Sequence, residues 1–297
     1  MATVEVDGNL LAYEVLGGAG DGDPEGDGRS WVLTPGGRFS KDVPGIRELA
    51  EAIVAGAPGD RVLIWDRPNC GASDICFTGA SESQMQADHL AGLLRAKGLA
   101  PAIIVGGSGG ARVSLLTAAT HPDVASALAM LWISGGVYGL LLLATHYCGE
   151  SIRAAWQDGM EGVVDLPEWA EVLERNPRNR DRFLAQDPKE FIATLEQWML
   201  AYVPDAASPV PGLTDEQAAA VTLPTLVFRS GVSDPHHTRA TSEHLAALLP
   251  GAALVEPPWP DDEWKQRGAA AREGTGHLFE RWPLIAPQLL EFAHGAQ

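Results

Sequence analysis

Residues 102–115, AIIVGGSGGARVSL, place one serine among four glycines between an apolar run and a helical pattern. A strand that passes directly into a helix at G-x-S-x-G holds its serine in a tight turn with strained backbone angles. We predict that Gly106 and Gly110 are needed for steric reasons, because side chains there would collide with the neighbouring strand and helix. The turn would project the Ser108 hydroxyl at the carboxyl edge of a sheet, where ligands bind in open α/β folds.

A glycine-rich turn between a strand and a helix can instead bind phosphate. The GK[ST] ending of a P-loop is missing here, however, and the glycine spacing does not fit GxGxxG. The sequence therefore favours a nucleophile at Ser108 over a phosphate or dinucleotide site.

Short apolar runs alternate with longer helical patterns along most of the chain. This alternation predicts an α/β fold with a mostly parallel, eight-stranded sheet flanked by helices. TVEV and LLAYEVLG predict an opening hairpin. Residues 140–213 are rich in charge and tryptophan and show helical periodicity, which predicts a helical cap inserted after strand 6. The expected core is therefore 1–139 and 214–297.

The formal net charge of −18 argues against nucleic acid and anionic membrane surfaces as partners, since both attract clustered basic residues. Residues 124–147 carry no charge, but an internal SGGVYG interrupts them, which favours a buried strand and pocket wall over a membrane span. The acidic, glycine-rich segment 17–28 is predicted to be a solvated surface loop rather than a calcium loop.

The compartment and the assembly are less constrained by the sequence. No signal-peptide pattern and no disulfide framework are apparent, which favours a cytoplasmic location. Neither a cofactor nor a metal is implied. A small-molecule substrate is expected, and a homodimer stays open.

Four motifs resemble those of the α/β-hydrolase fold. VGGSGGA resembles its nucleophile elbow, LTPGGRF the loop after its third strand, DRPNCGASD the turn after its fourth, and GTGHLFERWP its histidine loop. The resemblance covers nearly the whole chain, and it implies the chain order nucleophile, acid, histidine.

Ser108 alone is a poor nucleophile, so it needs a base, and the base needs an acid to orient it. We predict His277 as the base, because it lies on a glycine-flanked loop after the last strand. We predict Asp234 as the acid, since it lies just beyond the penultimate strand. Three acidic residues in the loop before the histidine are competitors for the acid: Asp261, Asp262 and Glu263.

Two further histidines, His236 and His237, follow the predicted acid directly. We expect a surface or capping role for them, with a place at the rim of the site as the alternative.

The resemblance also implies two backbone donors for an oxyanion, the N–H groups of Gly37 and Gly109. The family more often has His-Gly where this chain has Pro35 and a glycine, so a side chain that often braces that loop is missing. Asp66 and Arg67 are predicted to brace loops.

Arg38 adjoins the predicted oxyanion donor and is a candidate for binding a substrate carboxylate, with a structural role as the alternative. The expected pocket walls are Trp132, Val137, Tyr138 and residues 140–143, among which Trp132, Tyr138 and Leu141 are the candidates for binding substrate. Residues 257–276 are predicted to form a largely irregular loop at the pocket mouth, with Trp259 or Trp264 touching ligand.

Serine at the elbow disfavours the alkyl-enzyme route, which needs a carboxylate nucleophile. The sequence therefore predicts a serine hydrolase that acts on a carboxylic ester or lactone with an apolar or aromatic part, through an acyl-enzyme intermediate. Three alternatives stay open: hydrolysis of a carbon–carbon bond in a ring-cleavage product, hydrolysis of an amide, and ligand binding without turnover.

Overall fold

The sheet has eight strands in the computed structural model, which describes residues 2–18, 28–203 and 210–295. They are β1 (Ala2–Val6), β2 (Asn9–Gly17), β3 (Ser30–Thr34), β4 (Arg61–Trp65), β5 (Ala102–Gly107), β6 (Ala125–Leu131), β7 (Thr225–Phe228) and β8 (Ala252–Val255). Their order across the sheet is β1-β2-β4-β3-β5-β6-β7-β8. The β1–β2 and β2–β4 pairs are antiparallel and all other pairs are parallel. The predicted hairpin and the mostly parallel sheet are confirmed. Most of the predicted acidic loop, residues 19–27, lies outside the described residues.

The helices of the described chain fall into three groups. The first is α1 (Ile46–Gly56), α2 (Glu82–Ala96) and α3 (Gly109–Thr120). The second lies between β6 and β7 and comprises α4 (Val137–Ala144), α5 (Glu150–Val164), α6 (Ala170–Arg175), α7 (Arg178–Leu184) and α8 (Pro188–Leu200). The third is α9 (Asp215–Ala219), α10 (Arg239–Leu248), α11 (Glu263–Glu273) and α12 (Ala286–Gly295).

Side-chain caps explain where several of these helices begin. The Ser81 hydroxyl accepts a hydrogen bond from the Gln84 N–H at the start of α2, and the Thr238 hydroxyl accepts one from Thr241 at the start of α10. At the start of α8, the Asp187 carboxylate accepts two backbone N–H groups and proline occupies the first helical position. Each cap satisfies N–H groups that have no partner inside the helix.

Apolar cores cover both faces of the sheet. Along β5, Ile104 belongs to the core on one face, and Ile103 and Val105 belong to the core on the other. A strand that is buried on both faces needs apolar residues at every position, which explains why AIIV is a continuous apolar run rather than an alternating one.

A third apolar cluster joins the second group of helices to the rest of the chain. Phe77, from the turn after β4, packs against four aromatic rings at centroid distances of 4.8 to 5.8 Å. These rings belong to Trp169, Phe183, Phe191 and Trp198. The helices after β6 therefore cover the carboxyl-side turns of the sheet. The domain boundaries expected at 139/140 and 213/214 stay a prediction.

The uncharged segment 124–147 forms β6, a turn, all of α4 and the start of the π-helical turn Thr145–Gly149. Within the described ranges, no helix combines the length and apolar character needed to cross a bilayer. The three cysteines, Cys70, Cys76 and Cys148, are buried free thiols.

The central position of β5 predicts a large stability difference between two aliphatic truncations. Ile104→Ala should lower the free energy of unfolding by about 2 to 5 kcal/mol, because Ile104 is fully buried. Val15→Ala, at an exposed position of β2, should change it by about 0.5 kcal/mol or less. Urea denaturation followed by circular dichroism measures both. Equal effects would contradict the placement of the core.

Candidate active site

Ser108 lies in the turn between β5 and α3, with φ 54° and ψ −117°. Its N–H donates to the Leu131 carbonyl of the adjacent strand at 3.1 Å, which holds the turn at the carboxyl edge of the sheet. A Cβ on Gly106 would collide with the Gly110 carbonyl, and a Cβ on Gly110 would collide with the Thr34 carbonyl. The predicted steric need for both glycines is confirmed.

A continuous hydrogen-bonded relay begins at this serine. The Ser108 Oγ lies 2.8 Å from Nε2 of His237, and Nδ1 of His237 lies 2.8 Å from Oδ2 of Asp234. The histidine and the aspartate are both buried, at 5% and 6% exposed. With a proton on Nδ1, the imidazole presents a free lone pair on Nε2 to the serine hydroxyl.

The local chain direction explains why His237 reaches Ser108. The Oδ1 atom of Asp234 accepts hydrogen bonds from the backbone N–H groups of His236 and His237, at 2.9 and 3.0 Å. This aspartate-centred turn folds the chain back, so that the side chain three residues later meets the other carboxylate oxygen. Thr238 then caps α10 and fixes the exit of the turn.

The electrostatics of Asp234 suit an ionised carboxylate. Burial alone would raise its pKa, but the hydrogen bond and charge of His237 and the two backbone N–H groups together lower the pKa below its ordinary value. Asp234 therefore stays negatively charged beside the imidazole at neutral pH.

The structure does not place the predicted base, His277, next to Ser108. His277 is exposed, and its backbone N–H donates to the Glu280 carboxylate at 3.0 Å. The following residues, Leu278 and Phe279, turn inward instead, and Phe279 packs on Trp132. The structure thus brings together Ser108 and Asp234 as predicted, with His237 in the place expected for His277.

Gly37 and Gly109 lie side by side next to Ser108. A Cβ on Gly109 would lie 3.7 Å from the Gly37 nitrogen. Gly109 is the first residue of α3, where N–H groups have no intrahelical acceptor. Arg67 donates to the Gly36 and Gly37 carbonyls, so it braces this loop in place of the missing histidine side chain.

Asp66 braces the neighbouring loops. Its carboxylate accepts the backbone N–H groups of Lys41 and Ala72, at 2.5 and 2.9 Å. The bracing roles predicted for Asp66 and Arg67 are confirmed.

The substrate-binding role expected for Arg38 does not agree with its position. Its guanidinium donates to the Tyr147 carbonyl at 2.8 Å, lies 3.6 Å from Glu82 and 3.9 Å from Glu168, and packs on the Trp169 ring. Arg38 therefore links the segment between β6 and β7 to the loop after β3, and it does not line the cavity.

A cavity of about 350 Å³ opens over Ser108. Its lining is mostly apolar. The lining residues are Gly36, Gly37, Phe39, Ser108, Trp132, Leu142, Leu143, His146, Tyr147, His236, His237, Trp264, Arg267, Leu278 and Phe279. This is the size and character of a small-molecule site.

Of the predicted wall residues, Trp132, Leu142 and Leu143 line the cavity. Tyr138 and Leu141, the two α4 residues expected to bind substrate, instead lie more than half exposed on the outer face of α4.

The prediction that residues 257–276 form a largely irregular loop was wrong, because much of this segment is helical. Its second half forms α11, which places Trp264 and Arg267 in the cavity wall. The Trp264 ring lies 5.8 Å from the His237 ring. Trp264 was a candidate for ligand contact, whereas Arg267 was missed. A signal was present, because EWKQRGAAARE consists mostly of good helix formers.

Solved structures share this architecture. An enol-lactonase from Burkholderia xenovorans LB400 is 21% identical, with a TM-score of 0.57, over 99% of this chain and 100% of its own. An alpha/beta hydrolase from a Medee basin deep-sea metagenome is 17% identical, with a TM-score of 0.57, over 92% and 96%. A meta-cleavage product hydrolase from Pseudomonas fluorescens IP01 is 18% identical, with a TM-score of 0.57, over 100% and 98%.

These similarities, together with the sheet order and the turn at Ser108, show that the protein has the α/β-hydrolase fold. No protein-family model matches the sequence. No curated protein gives a significant sequence match.

The close approach of Gly36 to the serine predicts a loss of nucleophilic reactivity on adding one methyl group. A Cβ on Gly36 would lie 2.5 Å from the Ser108 Cβ and 3.1 Å from its Oγ. Gly36→Ala should therefore slow the labelling of Ser108 by a small fluorophosphonate by about tenfold or more. Intact-protein mass spectrometry measures the rate. Gly59→Ala is the control, because a Cβ there meets only an ordinary contact at 3.7 Å. Equal rates in both variants would contradict this geometry.

Proposed function

We propose that the protein is a serine hydrolase that cleaves a carboxylic ester or lactone through an acyl-enzyme intermediate. The observation that carries the proposal is the relay of two 2.8 Å contacts from Ser108 through His237 to Asp234. A hydroxyl, an imidazole and a buried carboxylate in this order are the groups that activated serine chemistry needs.

In the acylation step, the Ser108 Oγ attacks the substrate carbonyl carbon while Nε2 of His237 takes the hydroxyl proton. Asp234 holds the imidazole in the required tautomer and stabilises the imidazolium that forms. The carbonyl oxygen becomes an oxyanion and accepts the N–H groups of Gly37 and Gly109. When the intermediate collapses, the carbon–oxygen bond breaks and His237 gives its proton to the leaving alkoxide.

Deacylation repeats these steps with water as the nucleophile. His237 takes a proton from the water, the hydroxide adds to the acyl carbon, and the second tetrahedral intermediate expels Ser108, which recovers its proton from His237. In a lactone the leaving alkoxide stays attached to the acyl group, so the product is a single hydroxy acid.

The cavity supports a substrate with an apolar part. Aromatic and aliphatic side chains line most of it, including Trp132, Phe39 and Leu142. One structure of similar fold is an enol-lactonase, which is compatible with a lactone as substrate. The cytoplasmic location and the small-molecule partner expected from the sequence remain part of this proposal.

The relay predicts that His237 is needed for catalysis and that His277 is not. His237→Ala should lower kcat for a short para-nitrophenyl ester by at least about a thousandfold, because the general base is removed. His277→Ala should keep kcat near the parental value, since His277 is exposed and away from the serine. Steady-state kinetics on both variants checks this. The reverse pattern would show that the histidine loop supplies the base. Parent protein that binds esters but turns none over would refute the hydrolase itself.

The acid can be tested with two matched amide substitutions. Asp234→Asn keeps an oxygen for the two backbone N–H groups but loses the charge beside His237, so kcat should fall by about ten-thousandfold. Asp261→Asn should have little effect, because that carboxylate is largely exposed and pairs with Arg239. A large loss in Asp261→Asn with activity retained in Asp234→Asn would reassign the acid.

A further inference from the structure

Arg267 has the only permanently charged side chain among the described residues that line the cavity. No aspartate or glutamate of the described part of the chain lines it, although the full sequence has a formal net charge of −18. Burial lowers the pKa of His146 and of His236, so these two imidazoles are neutral at neutral pH. Arginine stays charged in proteins. The cavity wall therefore carries a cation where the rest of the molecule is strongly acidic.

Two tryptophans fix the plane of this guanidinium. The Arg267 Cζ lies 3.9 Å from the centroid of the Trp132 ring and 4.7 Å from that of Trp264. The side chain is only 6% exposed. Because both indole rings hold it by cation–π contact, its N–H groups keep a defined direction before any ligand arrives.

One edge of the guanidinium lacks a hydrogen-bond acceptor within the described chain. Nη1 donates to the Leu278 carbonyl at 3.5 Å, and Nε lies 3.0 Å from the Glu263 carboxylate. Nη2 is buried without a hydrogen bond, and Oδ2 of Asp234 lies 4.0 Å from it. The described chain thus gives the guanidinium few hydrogen bonds, and a ligand acceptor on its cavity side would add one.

Asp234 and Glu263 do not provide this acceptor. Asp234 is already committed to His237 and to two backbone N–H groups, and neither carboxylate lines the cavity. Neither carboxylate therefore occupies the cavity side of the Arg267 guanidinium, where an oxygen atom of the substrate can approach.

We propose that Arg267 binds a carboxylate of the substrate, so that the ester or lactone carries a second, acidic group. This inference rests on the proposed hydrolase function and narrows its substrate class. A carboxylate is the partner whose charge and geometry best match guanidinium N–H groups. The neutral lining of the remaining cavity offers no competing cation.

The geometry also constrains where that acidic group lies on the substrate. Arg267 adjoins the far end of the relay, beyond Asp234, whereas the bond to be cleaved must lie at Ser108. The carboxylate is therefore separated from the reacting carbonyl by several atoms rather than attached next to it. The apolar part of the substrate spans this distance along Trp132.

Two esters with acyl chains of equal length test the proposal: para-nitrophenyl hydrogen adipate and para-nitrophenyl hexanoate. The measured quantity is the ratio of kcat/KM for the acidic ester to that for the neutral one. Arg267→Gln should lower this ratio by about tenfold or more, mainly through KM for the acidic ester, because a charge-assisted hydrogen bond is lost. Arg267→Lys keeps the positive charge and should restore part of the ratio, which a purely structural role would not do.

Arg281→Gln is the matched control. Arg281 lies outside the cavity lining and donates a hydrogen bond to Gln266. Its positive charge favours the ionised form of Glu263 by lowering the pKa of that carboxyl. The substitution therefore removes one nearby positive charge without changing the cavity wall. It should leave the ratio unchanged. A ratio that is unaffected by Arg267→Gln, or lowered equally by Arg281→Gln, would overturn the proposal.

A binding experiment separates this proposal from the hydrolase proposal. Isothermal titration of Ser108→Ala with para-nitrophenyl hydrogen adipate should show binding that Arg267→Gln weakens by about tenfold or more. If the parent hydrolyses neither ester and this binding difference persists, the hydrolase proposal fails and the carboxylate site stands. If both esters are hydrolysed and the binding difference is absent, the carboxylate site fails alone.

Discussion

The strained turn at Ser108 is the constraint on which the rest of the site depends. Ser108 keeps its φ of 54° because the chain must pass directly from β5 into α3 at this residue, and because its N–H donates to the Leu131 carbonyl of β6. The same turn exposes the hydroxyl at the carboxyl edge of the sheet and directs the open end of α3 toward it. The positions of Gly36, Gly37 and the relay are therefore all defined relative to this one residue.

The relay is compact because its acid and its histidine share one turn. Asp234 uses one carboxylate oxygen to shape the backbone and the other to orient the His237 ring. A separate histidine loop is then not needed at Ser108, and the chain between β8 and α12 is free to form α11. That helix provides Trp264, whose ring lies 5.8 Å from the His237 ring, and Arg267, and both residues line the cavity.

Much of the fold and part of the site could be predicted from the sequence. The glycine pattern around Ser108 has a steric cause that is independent of tertiary context, and Asp234 follows from its place just beyond a strand. The choice between His237 and His277 depends instead on where side chains point after two irregular turns. The turn centred on Asp234 is a local signal for His237, but the glycine-flanked loop after the last strand, which resembles a histidine loop, favoured His277.

The sequence predicts that the α4 segment lines the pocket, but it does not indicate which residues of α4 face it. VYGLLLLA is apolar at almost every position, so no polar face indicates its rotation, and neighbouring helical residues point about 100° apart. Leu142 therefore lines the cavity and Leu141 does not. Arg38 and Arg267 both have carboxylate neighbours within 4.0 Å, and what separates them is position: Arg267 lines the cavity and Arg38 does not.

The most direct test of the account is proton NMR of the hydrogen bond between the imidazole and the carboxylate. We expect one strongly downfield Nδ1–H resonance that disappears in His237→Gln and in Asp234→Asn but persists in His277→Gln. A downfield resonance that persists in His237→Gln and disappears in His277→Gln would contradict it, because His277 would then be the histidine that Asp234 orients.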